Sequence, residues 1–224
     1  MLRAVIFDFD GTLTELTLDF GAMRKAVEAI AARYVPAGTI RSLDGLYMLE
    51  MIDTLEGLIG DNGVSFRKEA LDLLRDMEVE ASSGKEVYPY TREVLDALRR
   101  EGLLIGVVTR NCTAAVERVF PDIRRYVDAV ATRDDVAAVK PEPAHVGAVL
   151  AALGVEARDA LLVGDHPTDM MAGRAAGAHT LGLLAGRTTR ADLEKAGAAL
   201  VAKDIRAVPE IARSLRLSPG AKTP

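Results

Sequence analysis

Short apolar, β-branched runs recur along the chain at residues 4–7, 103–108, 127–131, 160–163, 179–184 and 199–201, with helical periodicity between most of them. Runs that are apolar on both faces and alternate with helices predict a parallel sheet covered on both sides. The expected fold is a doubly wound α/β core. Gly102, Gly154, Gly177 and Gly197 each stand between a helical pattern and the next run, where a helix end favours a left-handed residue.

The alternation fails between residues 14 and 85. Three helical patterns follow one another there, at 18–34, 40–58 and 66–80, separated by Gly38 and by Gly60-Asp61-Asn62-Gly63 and closed by Ser82-Ser83-Gly84. They predict a small helical domain, residues 14–85, inserted after the first strand into a core made of residues 1–13 and 86–224. Leu43, Leu46, Tyr47, Leu55 and Leu58 fall at helical spacing and are expected to form the insertion's own core. The tail, residues 214–224, mixes Ser, Pro, Gly and Lys and is expected to fray. A length of 224 residues suits a core of about 150 residues with an insertion of this kind.

Apolar residues make up 49% of the chain and charged residues 27%, enough apolar material for a core of this size. The net charge of −5 argues against a nucleic-acid binder, which needs a basic stripe to release phosphate counterions. One cysteine, Cys112, permits neither an intramolecular disulfide nor a thiolate metal cage, which fits a reducing compartment. Met1-Leu2-Arg3 leads directly into the first apolar run, and no run reaches the roughly 18 residues of a membrane span. A cytoplasmic monomer or homodimer is the expectation.

Candidate chemistry collects where the apolar runs end. In an open parallel sheet the ligand site lies outside the carboxyl ends of the strands. Asp8 and Asp10 follow the first run, two apart and so on one face of an extended segment, with Gly11 letting the chain turn away. A D-x-D-G triple alone also occurs in calcium loops and ordinary turns. Thr109 follows the second run, Lys140 lies in the loop after the third, and Asp165 follows the fourth, with Asp169 at the start of the helix that Pro167 and Thr168 introduce. One sheet edge thus gathers four carboxylates, a hydroxyl and an ammonium.

This set suits phosphoryl transfer, in which negative charge spreads over the phosphoryl oxygens. A carboxylate approaching an anionic phosphate meets repulsion of about 4 kcal/mol per charge pair at ~4 Å and an effective dielectric of ~20. Lys140 and a divalent cation remove that barrier, and oxygen-only donors select Mg²⁺ over zinc.

Four motifs carry a family resemblance: Asp8-Phe9-Asp10-Gly11-Thr12-Leu13, Val107-Val108-Thr109-Arg110-Asn111, Lys140-Pro141-Glu142-Pro143, and Leu162-Val163-Gly164-Asp165-His166-Pro167-Thr168-Asp169-Met170. In this order they resemble the haloacid dehalogenase (HAD) superfamily, and within it phosphatases similar to phosphoglycolate phosphatase. The resemblance implies a HAD-like Rossmannoid core with a helical cap, and a hydrolase acting on a small phosphorylated metabolite. It implies that Asp8 is the nucleophile, forming an aspartyl-phosphate, and that Asp10 is the acid/base. Asp8, the backbone carbonyl of Asp10 and Asp165 would bind Mg²⁺, with Asp169 completing or orienting the metal shell. Thr109 and the backbone N–H of Arg110 would hold phosphoryl oxygens, and Lys140 would bridge nucleophile and phosphoryl group. His166 and the Arg110 side chain neighbour the site as possible substrate contacts, and within the cap Arg24, Arg33, Arg41 and Lys68 are candidates to meet an anionic substrate.

Other readings remain open from the sequence. A phosphomutase would use the same core residues. A halide-displacing dehalogenase would not need Asp10. A phospho-acceptor receiver domain would carry its aspartate on a later strand, and a non-enzymatic phosphate-binding protein would be free to lose one of the six residues.

Overall fold

In the computed structural model, which describes residues 1–217, β1 (Ala4–Phe7) is buried at all four positions. It pairs in parallel with β2 (Leu104–Val108) on one side and with β4 (Ala160–Gly164) on the other, so that Ala4 faces both Leu104 and Ala160. β3 (Ala129–Ala131) lies outside β2, and β5 (His179–Leu183) and β6 (Leu200–Ala202) extend the other side. The order β3-β2-β1-β4-β5-β6 makes a six-stranded parallel sheet whose winding reverses between β1 and β4. Ligand crevices of doubly wound sheets form at such a reversal.

Period-two alternation sorts the strand residues onto two covered faces. Val5, Phe7, Leu161 and Val163 pack on one side with Leu95 and Leu98 of α5 (Thr91–Arg100) and Val208 of α10 (Val208–Leu217). Ala4, Ile6, Ala160 and Leu162 pack on the other with Val146 and Val149 of α7 (Pro143–Leu153) and Ala172 of α8 (Pro167–Ala176). Gly154 and Gly177 end α7 and α8 in the left-handed conformation. Two short helices complete this part of the chain, α6 (Thr113–Val119) after β2 and α9 (Arg190–Ala196) after β5. Residues 214–217 belong to α10, where the Ser214 hydroxyl donates to the Glu210 carbonyl, so fraying does not begin at Ser214. The rest of that tail lies outside the described residues.

The chain divides into two compact units, one of Met1–Leu16 with the chain from Gly84 onward and one of Thr17–Ser83. At the root of the division, inside the first unit, Thr14 and Val87 form an antiparallel bridge and the Thr14 hydroxyl donates to the Glu86 carbonyl at 2.9 Å. The Leu13 carbonyl accepts both the Tyr88 backbone N–H and the Thr91 hydroxyl.

The second unit is all helical: α1 (Phe20–Ala31), α2 (Ala37–Arg41), α3 (Met48–Ile59) and α4 (Gly63–Ala81). Its buried residues include Met23, Val27, Leu49, Ile52, Leu55, Phe66, Ala70 and Leu74. The single helix expected over 40–58 is two, broken at residues 42–47. There the Arg24 guanidinium donates to the carbonyls of Leu43 and Leu46, both at 2.9 Å, satisfying groups that a continuous helix would have paired internally. The break also overturns most of the expected apolar stripe. Leu55 is fully buried, but Leu46, Tyr47 and Leu58 are 38%, 41% and 56% exposed. Gly38 lies inside α2 rather than at a joint. Among the described residues, no helix is long and apolar enough to cross a membrane.

Candidate active site

Asp8 is the first residue beyond β1, and its backbone N–H still reaches across to the Val163 carbonyl at 2.8 Å. The sheet thereby fixes where its side chain starts. Gly11, at φ +82°, turns the chain back, and a Cβ there would stand 2.3 Å from Asp165 Oδ2. The turn therefore requires glycine both for its conformation and for the approach of Asp165.

Lys140 is the centre of the site. It is 1% exposed, and its ammonium donates to Asp8 Oδ1 at 2.6 Å, to Asp169 Oδ1 at 2.5 Å and to the Val108 carbonyl at 2.9 Å. All three N–H bonds are used, which is the condition for keeping a charge away from water. The loop carrying Lys140 is held from below by His145 of α7, whose Nδ1 accepts the Lys140 backbone N–H at 3.1 Å. A ring nitrogen that accepts carries no proton, so the proton sits on Nε2, which faces the Ala131 carbonyl at 3.2 Å.

Asp165 directly follows β4 and Asp169 stands in the first turn of α8. Asp169 Oδ2 accepts the His166 backbone N–H at 3.0 Å while His166 Nδ1 accepts the Thr168 N–H at 3.3 Å, a reciprocal cap that sets the start of the helix. His166 thus has a structural task at this cap. The Thr12 hydroxyl donates to Asp165 Oδ1 at 3.4 Å. Carboxylate oxygens of Asp8, Asp165 and Asp169 all lie within 4.8 Å of one another, and all three residues are buried.

Such crowding shifts protonation. Burial pushes the Asp8 carboxyl well above the usual carboxylate range, and Asp169 and Asp165 add to this against the pull of Lys140. Burial, then Asp169, pushes Asp165 up to about 7. Burial alone would lower Lys140, but Asp169 and Asp8 outweigh it and hold the ammonium above its ordinary value. With all three carboxylates ionised, the cluster carries two negative charges beyond what the one ammonium offsets. A divalent cation supplies that amount, and the donors are the hard oxygens that Mg²⁺ takes. The residues present fit the ion.

Thr109, at the end of β2, is 1% exposed; its backbone N–H donates to the Ala131 carbonyl and its hydroxyl accepts the Asn111 N–H at 3.1 Å. The Arg110 guanidinium donates to the Lys140 carbonyl, a second brace on that loop. Asp10 is half-buried, and its Oδ2 accepts from Asn111 Nδ2 at 3.0 Å. In the helical unit Arg24 is bonded to Glu28, Arg33 to Glu69 and Lys68 to Asp72, so three of the four cationic candidates already have anionic partners within that unit, and Arg41 is exposed.

Three contributors have no role assigned from the sequence, although Asn111 falls within the second motif. Asn111 and His145 act through hydrogen bonds that only the folded chain reveals. Gly186, in the loop after β5, brings its backbone so near Asp165 that a Cβ would fall 1.8 Å from Oδ2.

The profile of the family described as haloacid dehalogenase-like hydrolase matches residues 5–183. Phosphoglycolate phosphatase 1 of Pseudomonas aeruginosa is 30% identical over 213 residues, covering 91% of this chain and 77% of that protein. The phosphoglycolate phosphatase of Yersinia pseudotuberculosis is 32% identical over 195 residues, covering 83% of this chain and 82% of that protein. Among solved structures, a hydrolase from Pseudomonas syringae superposes with a TM-score of 0.69 at 26% identity, covering 94% of this chain and 98% of that one.

Proposed function

The chain belongs to the haloacid dehalogenase-like hydrolases, and we propose that it is a Mg²⁺-dependent phosphatase that hydrolyses a small phosphomonoester, phosphoglycolate-like or a sugar phosphate, through an aspartyl-phosphate at Asp8. The observation that carries this reading is the buried Lys140 ammonium shared between Asp8 and Asp169. It places a fixed positive charge beside the one carboxylate that ends the central strand. The relatives' names support the substrate class.

In the first step an Asp8 carboxylate oxygen bonds to phosphorus while the bond from phosphorus to the leaving oxygen breaks, and Asp10 gives its proton to that oxygen. In the second, Asp10 takes a proton from water as the water oxygen bonds to phosphorus, and Asp8 departs as a carboxylate. Lys140 holds Asp8 in place and offsets phosphoryl charge throughout, and Thr109 and the Arg110 backbone N–H bind phosphoryl oxygens. Asp8, Asp165, the Asp10 carbonyl and Asp169 would hold Mg²⁺, which when bound supplies the two positive charges this cluster lacks.

The test is phosphate release from a panel of small phosphomonoesters, including phosphoglycolate and hexose phosphates, with Mg²⁺ or EDTA and with Asp8→Asn in parallel. Metal-dependent release that vanishes in the variant is expected. Conversion of one hexose phosphate into an isomer without net release would replace the reading with a phosphomutase.

A further inference from the structure

Asn111 lies two residues beyond Thr109 and is 6% exposed. Its amide has one permitted orientation. Oδ1 accepts the Cys112 backbone N–H at 2.8 Å, a group that only donates, so the nitrogen must face the other way. That places Nδ2 at 3.0 Å from Asp10 Oδ2. The backbone of Asn111 is anchored too, through its N–H to Thr109 Oγ1 at 3.1 Å and its carbonyl to the Arg133 N–H at 3.1 Å. A fixed donor is therefore aimed at one named oxygen of Asp10.

Building on the phosphatase reading, we infer that Asn111 is a positioning residue for the acid/base: it assigns Asp10 Oδ2 as the accepting oxygen, so that the transferable proton is carried on Oδ1. A carboxylic acid accepts better at its carbonyl oxygen than at its hydroxyl oxygen, so an N–H on Oδ2 favours the acid protonated at Oδ1. When the Oδ1–H bond breaks and the proton passes to the leaving oxygen, Asp10 becomes a carboxylate. The Asn111 N–H bond then becomes charge-assisted, roughly twice as strong as its neutral counterpart. Asn111 thus helps most when the leaving group needs a proton.

That dependence gives the test. Wild-type protein, Asn111→Ala and Asn111→Ser are compared on an alkyl ester, phosphoglycolate, and on p-nitrophenyl phosphate, whose leaving group departs as a stable anion without protonation. The quantity read is kcat/KM, which covers steps only through formation of the phosphoenzyme. Asn111→Ser is too short to reach Asp10 and adds no charge, so it serves if the alanine variant does not fold. Each variant is expected to lose about tenfold on the alkyl ester and less than about twofold on the p-nitrophenyl ester. Equal losses on the two esters, or no loss on either, overturn this role for Asn111 alone. Wild-type protein that releases phosphate from neither ester overturns the phosphatase reading and this one with it.

Discussion

Asp169 places one oxygen 2.5 Å from the Lys140 ammonium and gives the other to the His166 backbone N–H at the start of α8. A Cβ on Gly164 would stand 2.3 Å from that second oxygen, so the carboxylate is confined as well as bonded. The position of the buried lysine is therefore tied to the cap of a helix that follows a different strand. Removing Lys140 leaves the crowded carboxylates without a counter-charge, whereas removing Asp169 leaves the ammonium still paired with Asp8. Lys140→Met is expected to cost about 3–5 kcal/mol of stability, and Asp169→Ala clearly less, read from urea unfolding in EDTA. Loss of less than about 1 kcal/mol in Lys140→Met would mean that the cluster relaxes into water.

In the proposed mechanism Asp10→Asn removes the proton donor but keeps the acceptor oxygen and the size of the side chain. Turnover of an alkyl phosphate is expected to fall by about 100-fold or more, while inorganic phosphate binding, followed by calorimetry with Mg²⁺, stays close to wild type. Near-normal turnover would remove Asp10 as acid/base.

Mg²⁺ is expected to stabilise the folded chain, because it meets the two-charge deficit of Asp8, Asp165 and Asp169. At about 100 times its dissociation constant the gain is about 2.7 kcal/mol. Asp165→Asn should largely abolish the Mg²⁺-dependent shift in melting temperature, and an undiminished shift would place the ion elsewhere.

A Cβ at Gly186 would lie 1.8 Å from Asp165 Oδ2, so Gly186→Ala must displace either the loop or the carboxylate. Mn²⁺ affinity, measured by electron paramagnetic resonance on the protein without substrate, should fall by about tenfold or more, in line with the loss seen when groups that orient metal ligands are changed. Unchanged affinity would show that the loop yields and Asp165 does not.

His145 supplies a pH dependence with a defined sign. Burial first, then Lys140, lowers it from 6.5 to about 4 in the folded chain. Between those values the unfolded chain binds a proton that the folded chain refuses. The contribution is complete above about 6.5 and is lost as pH falls toward 4, about 3 kcal/mol in all. Urea midpoints of wild type and His145→Gln should converge as the pH drops through that window, and parallel curves would reject the assignment.

The strands were legible because burial on both faces leaves no room for polar residues within β1 or β4. Asp8 and Asp165 stood out as the acids that end those runs. Asn111 was harder to read, since asparagine after a strand is equally a turn former and its aim at Asp10 depends on the orientation imposed by Cys112. The break at residues 42–47 was hidden for a similar reason. It is sustained by Arg24 from another helix, whereas local periodicity favours continuity through Leu43, Leu46 and Tyr47. Gly186 and His145 carry no signal in sequence, because one matters through the approach of a distant loop and the other through a backbone N–H.

The bridge between Thr14 and Val87 joins the segments of the first unit that the helical residues leave and re-enter, where Thr14 is hydrogen-bonded to Glu86 and Thr91 to Leu13. A chain that departs and returns through adjacent residues behaves as a cassette. Its closure entropy grows only slowly with the length enclosed, so segments of different size and sequence are interchangeable there without disturbing the register of β1 with β2 and β4.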